Sequence, residues 1–242
     1  MCGVNYIKNN KQRNDVSLNG EETSRVSRRR GYLTRYLFLC FIYLGVDVCR
    51  VRGDMGNGIN KVLPDLYLGN FKDARDKEQL ARYNITHILS IHDSAAPLLQ
   101  EITYLCIPAS DLPSQDLTQH FKESIMFIHE CRLKGQGCLV HCLAGVSRSV
   151  TLVVAYIMTV TGLGWQDALA AVRVVRPCAG PNVGFLRQLE DFENTQVLQY
   201  RAWLKEKYKE SPFDDEEEIK MLLSRSPKAN GAEGDPRGLR TT

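Results

Sequence analysis

Hydrophobic and polar positions change their period several times along this 242-residue chain, and the changes mark its elements. Met1 to Arg30 is polar, with a basic cluster at Arg28-Arg29-Arg30, and reads as disordered. Tyr36 to Val46 is apolar and imitates a signal sequence, yet Asp47 and Arg50 end it well short of the ~20 residues a membrane span needs. A regular pattern begins at Lys61. Leu66 to Gly69 reads as a short strand, and Phe71 to Tyr83 as a polar helix with Ala74, Leu80 and Ala81 as its apolar set. His87 to Ile91 is rich in β formers and reads as a central strand; Ile102 to Ile107 is another, stopped by Pro108. From Thr118 to Lys134, Phe121, Ile125, Phe127, Ile128 and Cys131 share one face at helical spacing. Gly135-Gln136-Gly137 ends that helix, and Cys138-Leu139-Val140 is a strand. Helices follow over Ser147–Thr161, over Trp165–Val175 and from about Pro181 onward. Asp214 to Glu218 opens an acidic, solvated helix, and the residues after Arg225 read as disordered. Strands alternating with helices predict an α/β fold, with a helical cluster toward the C-terminus.

Composition narrows the partners. A hydrophobic fraction of 43% supports a real core, and a net charge of +3 is too weak to argue for nucleic acid. The eight cysteines form no C-x-x-C pair and no Cys/His cluster with zinc spacing, so no metal is expected. Free thiols in a chain with this much core point to a reducing compartment, cytoplasm or nucleus.

The run His141-Cys142-Leu143-Ala144-Gly145-Val146-Ser147-Arg148-Ser149 carries the chemistry. It lies between an apolar strand and an apolar helix, so it reads as a tight loop leading into a helix N-terminus. Such a loop turns successive backbone N–H groups inward, and the helix end adds partial positive charge. The result is a cradle for a tetrahedral dianion. Cys142 sits at its floor, and Arg148 closes one side with a two-pronged guanidinium. The cradle also lowers the thiol pKa, from about 8.5 into the range of roughly 3.5–7.5. A single cysteine is usually a structural one. The joint occurrence of His141, Cys142, Gly145, Arg148 and Ser149 argues against that here. Ser149 is placed to donate a hydrogen bond to the thiolate, and His141 to orient the loop through backbone contacts.

Cleaving a phosphomonoester with a thiolate also requires an acid for the leaving oxygen. Asp111 follows a strand on a Pro-punctuated loop and is the first candidate. Asp116 shares that loop, and Asp93 follows the His87–Ile91 strand. On the residues alone the three stand nearly level. Asn84-Ile85-Thr86 fits a glycosylation acceptor, which a cytosolic protein never presents to that machinery. Met55-Gly56-Asn57-Gly58 has the start of a myristoylation signal, but an internal one.

Together these residues resemble the protein tyrosine phosphatase superfamily, through its Cys-x5-Arg loop. With Asp111 and the segment Pro181-Asn182-Val183-Gly184-Phe185, the chain is similar to the small atypical dual-specificity phosphatases. Tyr67-Leu68-Gly69-Asn70-Phe71 and Gly164-Trp165 fit as well. Met55 to about Pro212 looks like the subgroup linked to Jun-kinase signalling, whose members begin Met-Gly-Asn-Gly. The resemblance implies a central, mostly parallel sheet flanked by helices. It divides the chain into an N-terminal extension (1–54), a catalytic domain (58–205) and a polar, partly acidic tail (206–242). It implies that Cys142 is the phosphocysteine nucleophile, Arg148 the phosphate clamp, and Asp111 general acid and then base. Ser149 assists, Leu143, Ala144, Gly145, Val146, Ser147 and Arg148 line the phosphate, and His141 and Asn182 support them. No cofactor or metal is implied. The partners are phosphoproteins carrying phosphotyrosine or phosphoserine/phosphothreonine, among them MAP-kinase pathway components. A membrane is contacted only if translation begins at Met55 and Gly56 is acylated; the chain departs from the subgroup in the 54 residues before that methionine. A lipid or RNA phosphatase on the same loop, and a phosphate-binding scaffold, are the alternatives. The loop from Leu143 to Ser147 carries no basic side chain, which favours protein phosphate over a highly charged headgroup or RNA end.

Overall fold

The computed structural model describes residues 58–209 and 211–225. The extension at 1–54, Gly56 and the residues after Arg225 lie outside the described residues. Among the described residues five strands form one sheet: β1 (Asn60–Leu63), β2 (Leu66–Gly69), β3 (Ile85–Ile91), β4 (Thr103–Ile107) and β5 (Gly137–His141), in the order β1-β2-β5-β3-β4. Only β1 runs antiparallel to its neighbour; the other pairings are parallel. Parallel strands need coverage on both faces. Side chains alternate accordingly: Cys138 and Val140 of β5 face the larger core, and Leu139 between them faces the smaller one.

The larger core is covered by helices α2 (Phe121–Leu133), α3 (Arg148–Val160), α4 (Trp165–Val175), α5 (Val183–Thr195), α6 (Val197–Tyr208) and α7 (Asp215–Ser224). The apolar stripe of α2 is buried from Phe121 to Cys131 as its spacing predicts. Every residue of α3 from Arg148 to Thr159 is buried, so this helix is the axis around which the others pack. The short α1 (Lys77–Arg82) covers the smaller core.

Three expectations are corrected. The single helix over Phe71–Tyr83 is a 3-10 turn at Asp73–Arg75 followed by α1. Asp76 breaks it: its backbone is extended, and its carboxylate caps α1 by accepting the N–H groups of Glu78 and Gln79, each at 3.1 Å. The strand β1 is not among the elements the hydrophobic pattern predicts, which places a short strand only at Leu66. Finally, the acidic helix α7 is solvated along Asp214, Glu217 and Glu218, as expected, but is docked through Asp215. Asp215 is buried and takes a bidentate pair from Arg132 of α2, Nη1 to Oδ2 at 2.8 Å and Nη2 to Oδ1 at 2.7 Å. Arg132 also donates to the Tyr156 hydroxyl and to the Pro64 carbonyl, each at 2.7 Å, and its guanidinium lies 4.1 Å from the centre of the Phe213 ring. Ile219 is buried beneath the same helix. Packing therefore continues past residue 205 to α7.

Removing one partner of a buried, hydrogen-bonded pair leaves the other charge uncompensated. Asp215→Ala is expected to lower unfolding stability by about 3 kcal/mol, read from urea denaturation.

Candidate active site

The loop after a parallel strand opens at the carboxyl end of the sheet, where ligands bind. Gly69, Ser90 and His141 stand side by side at that end of β2, β3 and β5. Cys142 follows His141 directly, and its side chain is almost fully enclosed. The Gly145 N–H donates to Cys142 Sγ at 3.2 Å, and the Ser149 hydroxyl donates at 3.3 Å. Burial alone pushes this thiol up. The Ser149 hydroxyl, the backbone N–H groups of Ser149 and Val146 and the Arg148 charge more than offset it, and the thiol lies below its ordinary pKa.

The loop's conformation is set from outside. A trans peptide points its carbonyl away from the following N–H. The Cys142 carbonyl accepts from His141 Nδ1 at 3.1 Å, and Leu143 from the Phe71 N–H at 3.2 Å. Ala144 and Gly145 accept from Arg176, Nη2 at 3.3 Å and Nε at 2.6 Å. Val146 accepts from the Gly180 N–H at 2.9 Å, and Ser147 from the Thr151 N–H and hydroxyl, both at 2.9 Å. All six carbonyls from Cys142 to Ser147 are thereby engaged, and the N–H groups of Gly145, Val146 and Ser149 turn to the Cys142 sulfur. Gly145 has φ +68°, and a Cβ there would collide with Arg176 Nη2 and the Gly69 carbonyl, so only glycine fits.

Arg148 begins α3 and is buried. Its Nη1 donates to the Ala109 carbonyl at 2.9 Å and to Asp93 Oδ2 at 3.1 Å; its Nε is buried without a hydrogen bond and lies 3.5 Å from Asp111 Oδ2. Asp111 Oδ1 accepts from the Ser147 hydroxyl at 2.7 Å and from Asn182 Nδ2 at 2.9 Å. Asn182 is fixed in turn, because its Oδ1 caps α5 by accepting from the Gly184 and Phe185 N–H groups. Of the three candidate carboxylates, Asp111 faces the loop through Ser147 and Arg148. Asp93 meets Arg148 at Nη1, has no hydrogen bond to Ser147, and is 63% exposed along its side chain. Asp116 instead turns to its own segment, accepting from the Thr118 N–H at 2.8 Å and hydroxyl at 2.6 Å.

His141 keeps its backbone contact, and burial pushes its imidazole down to about 4. It is therefore neutral at physiological pH and holds the loop as an Nδ1–H donor. His92 packs against it with ring centres 5.8 Å apart, and burial and the Arg148 charge lower its pKa as well. Arg176 is the buried loop contact that sequence reasoning does not find. Its local signal, an arginine before a proline at a helix end, is common to many surface positions.

The sequence pattern described as "Dual specificity phosphatase, catalytic domain" matches residues 66–195. The chain belongs to the dual-specificity phosphatases. It is 72% identical over 179 residues to dual specificity protein phosphatase 22-B of Danio rerio, spanning 74% of this chain and 98% of that protein. With dual specificity protein phosphatase 22 of Homo sapiens the identity is 69% over 170 residues, 70% of this chain and 92% of the other. Among solved structures, the crystal structure of DUSP15 superposes with a TM-score of 0.62 at 58% identity, covering 64% of this chain and 100% of that one. This dual-specificity phosphatase is thus a protein phosphatase, and its substrates are phosphoproteins. The fold expected from the resemblance, a mostly parallel sheet with flanking helices, is the one observed.

The Ser149 hydroxyl stabilises the thiolate and not the thiol. The alkylation rate of Cys142 by iodoacetamide, followed by peptide mass spectrometry, is expected to reach half its plateau below the ordinary thiol value of about 8.5. Ser149→Ala is expected to move that midpoint to higher pH.

Proposed function

We propose that this phosphatase hydrolyses phosphotyrosine and phosphoserine/phosphothreonine on proteins through a phosphocysteine at Cys142. The observation that carries the reading is the convergence of a thiol below its ordinary pKa, a buried guanidinium with an unused Nε, and a carboxylate 3.5 Å from it, all at one loop. In the first step the Cys142 thiolate attacks phosphorus, an S–P bond forms and the P–O bond to the substrate breaks. The loop N–H groups and Arg148 hold the equatorial oxygens. Asp111 gives its proton to the leaving oxygen. In the second step water attacks the phosphocysteine, Asp111 takes a proton from it, and the S–P bond breaks. Ser149 then stabilises the departing thiolate.

The reading extends to kinase signalling in the Jun-kinase or MAP-kinase pathway, in cytoplasm and nucleus. Its support is the likeness of Met55-Gly56-Asn57-Gly58 and of the catalytic segment to the phosphatases of that pathway. A form initiated at Met55 and acylated at Gly56 would reach the plasma membrane reversibly, since one myristoyl chain binds weakly.

The test is phosphate release from matched phosphotyrosine and phosphothreonine peptides. The full chain is expected to release phosphate from both, and Cys142→Ser from neither. Asp111→Asn is expected to lower kcat by about 10²-fold. Undiminished turnover in Cys142→Ser overturns the mechanism.

A further inference from the structure

Arg176 ends α4 ahead of Pro177 and is only 1% exposed, so it reaches neither solvent nor a protein substrate. Its planar fork grips two parts of the chain at once. On one side Nε and Nη2 hold the carbonyls of Gly145 and Ala144. On the other, Nη1 donates to Asn60 Oδ1 at 2.6 Å and lies 3.4 Å from the Gly58 carbonyl. All four of these acceptors are neutral, so the guanidinium charge stands uncompensated by them behind the anion cradle. A second path joins the same places. The Gly58 N–H donates to Asp73 Oδ1 at 3.1 Å, Asp73 Oδ2 accepts from the Asn70 N–H at 2.7 Å, and the next residue, Phe71, donates to the Leu143 carbonyl.

The Ala144–Gly145 peptide shows what this hold accomplishes. Its N–H points at Cys142 Sγ, and its carbonyl points at Arg176 Nη2. Released from Arg176, that peptide is free to rotate, and rotation would bring a carbonyl oxygen where the thiolate and phosphate need a donor.

We infer that Arg176 is a positioning residue for the catalytic loop, and that Asn60 couples it to the point where the chain enters the domain. The geometry of the segment Gly58–Asn60 leading into β1 then sets how well the loop binds phosphate. The inference rests on the reading of Cys142 as nucleophile.

The experiment compares full-length Arg176→Lys, Asn60→Ala and the double variant with the parent chain. It measures kcat and KM for p-nitrophenyl phosphate, the inhibition constant of inorganic phosphate and the pH midpoint of Cys142 alkylation. Lysine keeps the charge and loses the fork. Arg176→Lys is expected to lower kcat and weaken phosphate inhibition, each by about tenfold, and to raise the alkylation midpoint. Asn60→Ala is expected to move all three in the same direction by about threefold, and the double variant to be no worse than Arg176→Lys, as coupled neighbours behave. A purely structural arginine would lower melting temperature while leaving the phosphate constant and the midpoint of the folded fraction unchanged; that result overturns the inference. If Arg176→Lys fails to fold, Asn60→Ala decides: an unchanged phosphate constant and midpoint overturn the coupling. Cys142→Ser separates the two readings. Turnover that survives in it overturns the nucleophile; turnover lost in it, with Arg176→Lys and Asn60→Ala equal to the parent, overturns the inference alone.

Discussion

A peptide plane offers a donor on one edge and an acceptor on the other, and the loop from Cys142 to Ser147 depends on showing only donors to its interior. That arrangement needs a partner on the outside for every carbonyl, because a buried acceptor without one is costly. The partners come from five places: the strand before the loop, the turn after β2, the end of α4, Gly180 and the first turns of α3. The fold's segments meet at this loop for that reason. The lowered thiol, the positive helix end and the guanidinium of Arg148 all follow from a backbone locked in one orientation. The rigidity is set before a substrate arrives, so no reorganisation has to accompany the chemistry.

The axis helix α3 carries this order through the molecule. Its first residue is the buried Arg148 of the cysteine loop, and two turns on its Tyr156 hydroxyl accepts from Arg132, which in turn pairs with Asp215. Burial around the whole helix removes the freedom to tilt or slide without opening packed surface. The residues around the mouth are different in kind. Leu112, Leu143 and Val183 are exposed apolar side chains beside Asp111, Cys142 and Asn182, so the reactive centre is rigid and polar while its surroundings are open and apolar.

Much of this was legible in the sequence, and the failures share a cause. The strands β2 to β5 could be read because apolar runs between glycines and prolines have few other uses. The cysteine loop could be read because its spacing is a local property. β1 escaped because Asn60-Lys61-Val62-Leu63 has only two apolar positions and owes its state to pairing with β2. The helix after Phe71 was read too long because Asn70, Asp73 and Asp76 bind nearby backbone N–H groups with their side chains, a competition that apolar periodicity does not record. Asp111, Asp116 and Asp93 looked alike because each follows a strand; Ser147 and Asn182, distant in sequence, separate them. Arg176 and Asp215 were invisible for the same reason. Their partners lie 31 and 83 positions away, beyond any local pattern.

The pairing of Arg132 with Asp215 also orders the assembly of the molecule in time. A nascent chain that has emerged only as far as Tyr208 already contains the whole sheet, the cysteine loop and the axis helix. It also holds an arginine bonded to the Tyr156 hydroxyl and the Pro64 carbonyl whose counter-charge has not yet been synthesised. Until α7 arrives, that site is better hydrated than closed. Among the described residues, the helix furthest along the chain is therefore the one that closes the Arg132 site, so a chain ending before it would leave a buried guanidinium without its counter-charge.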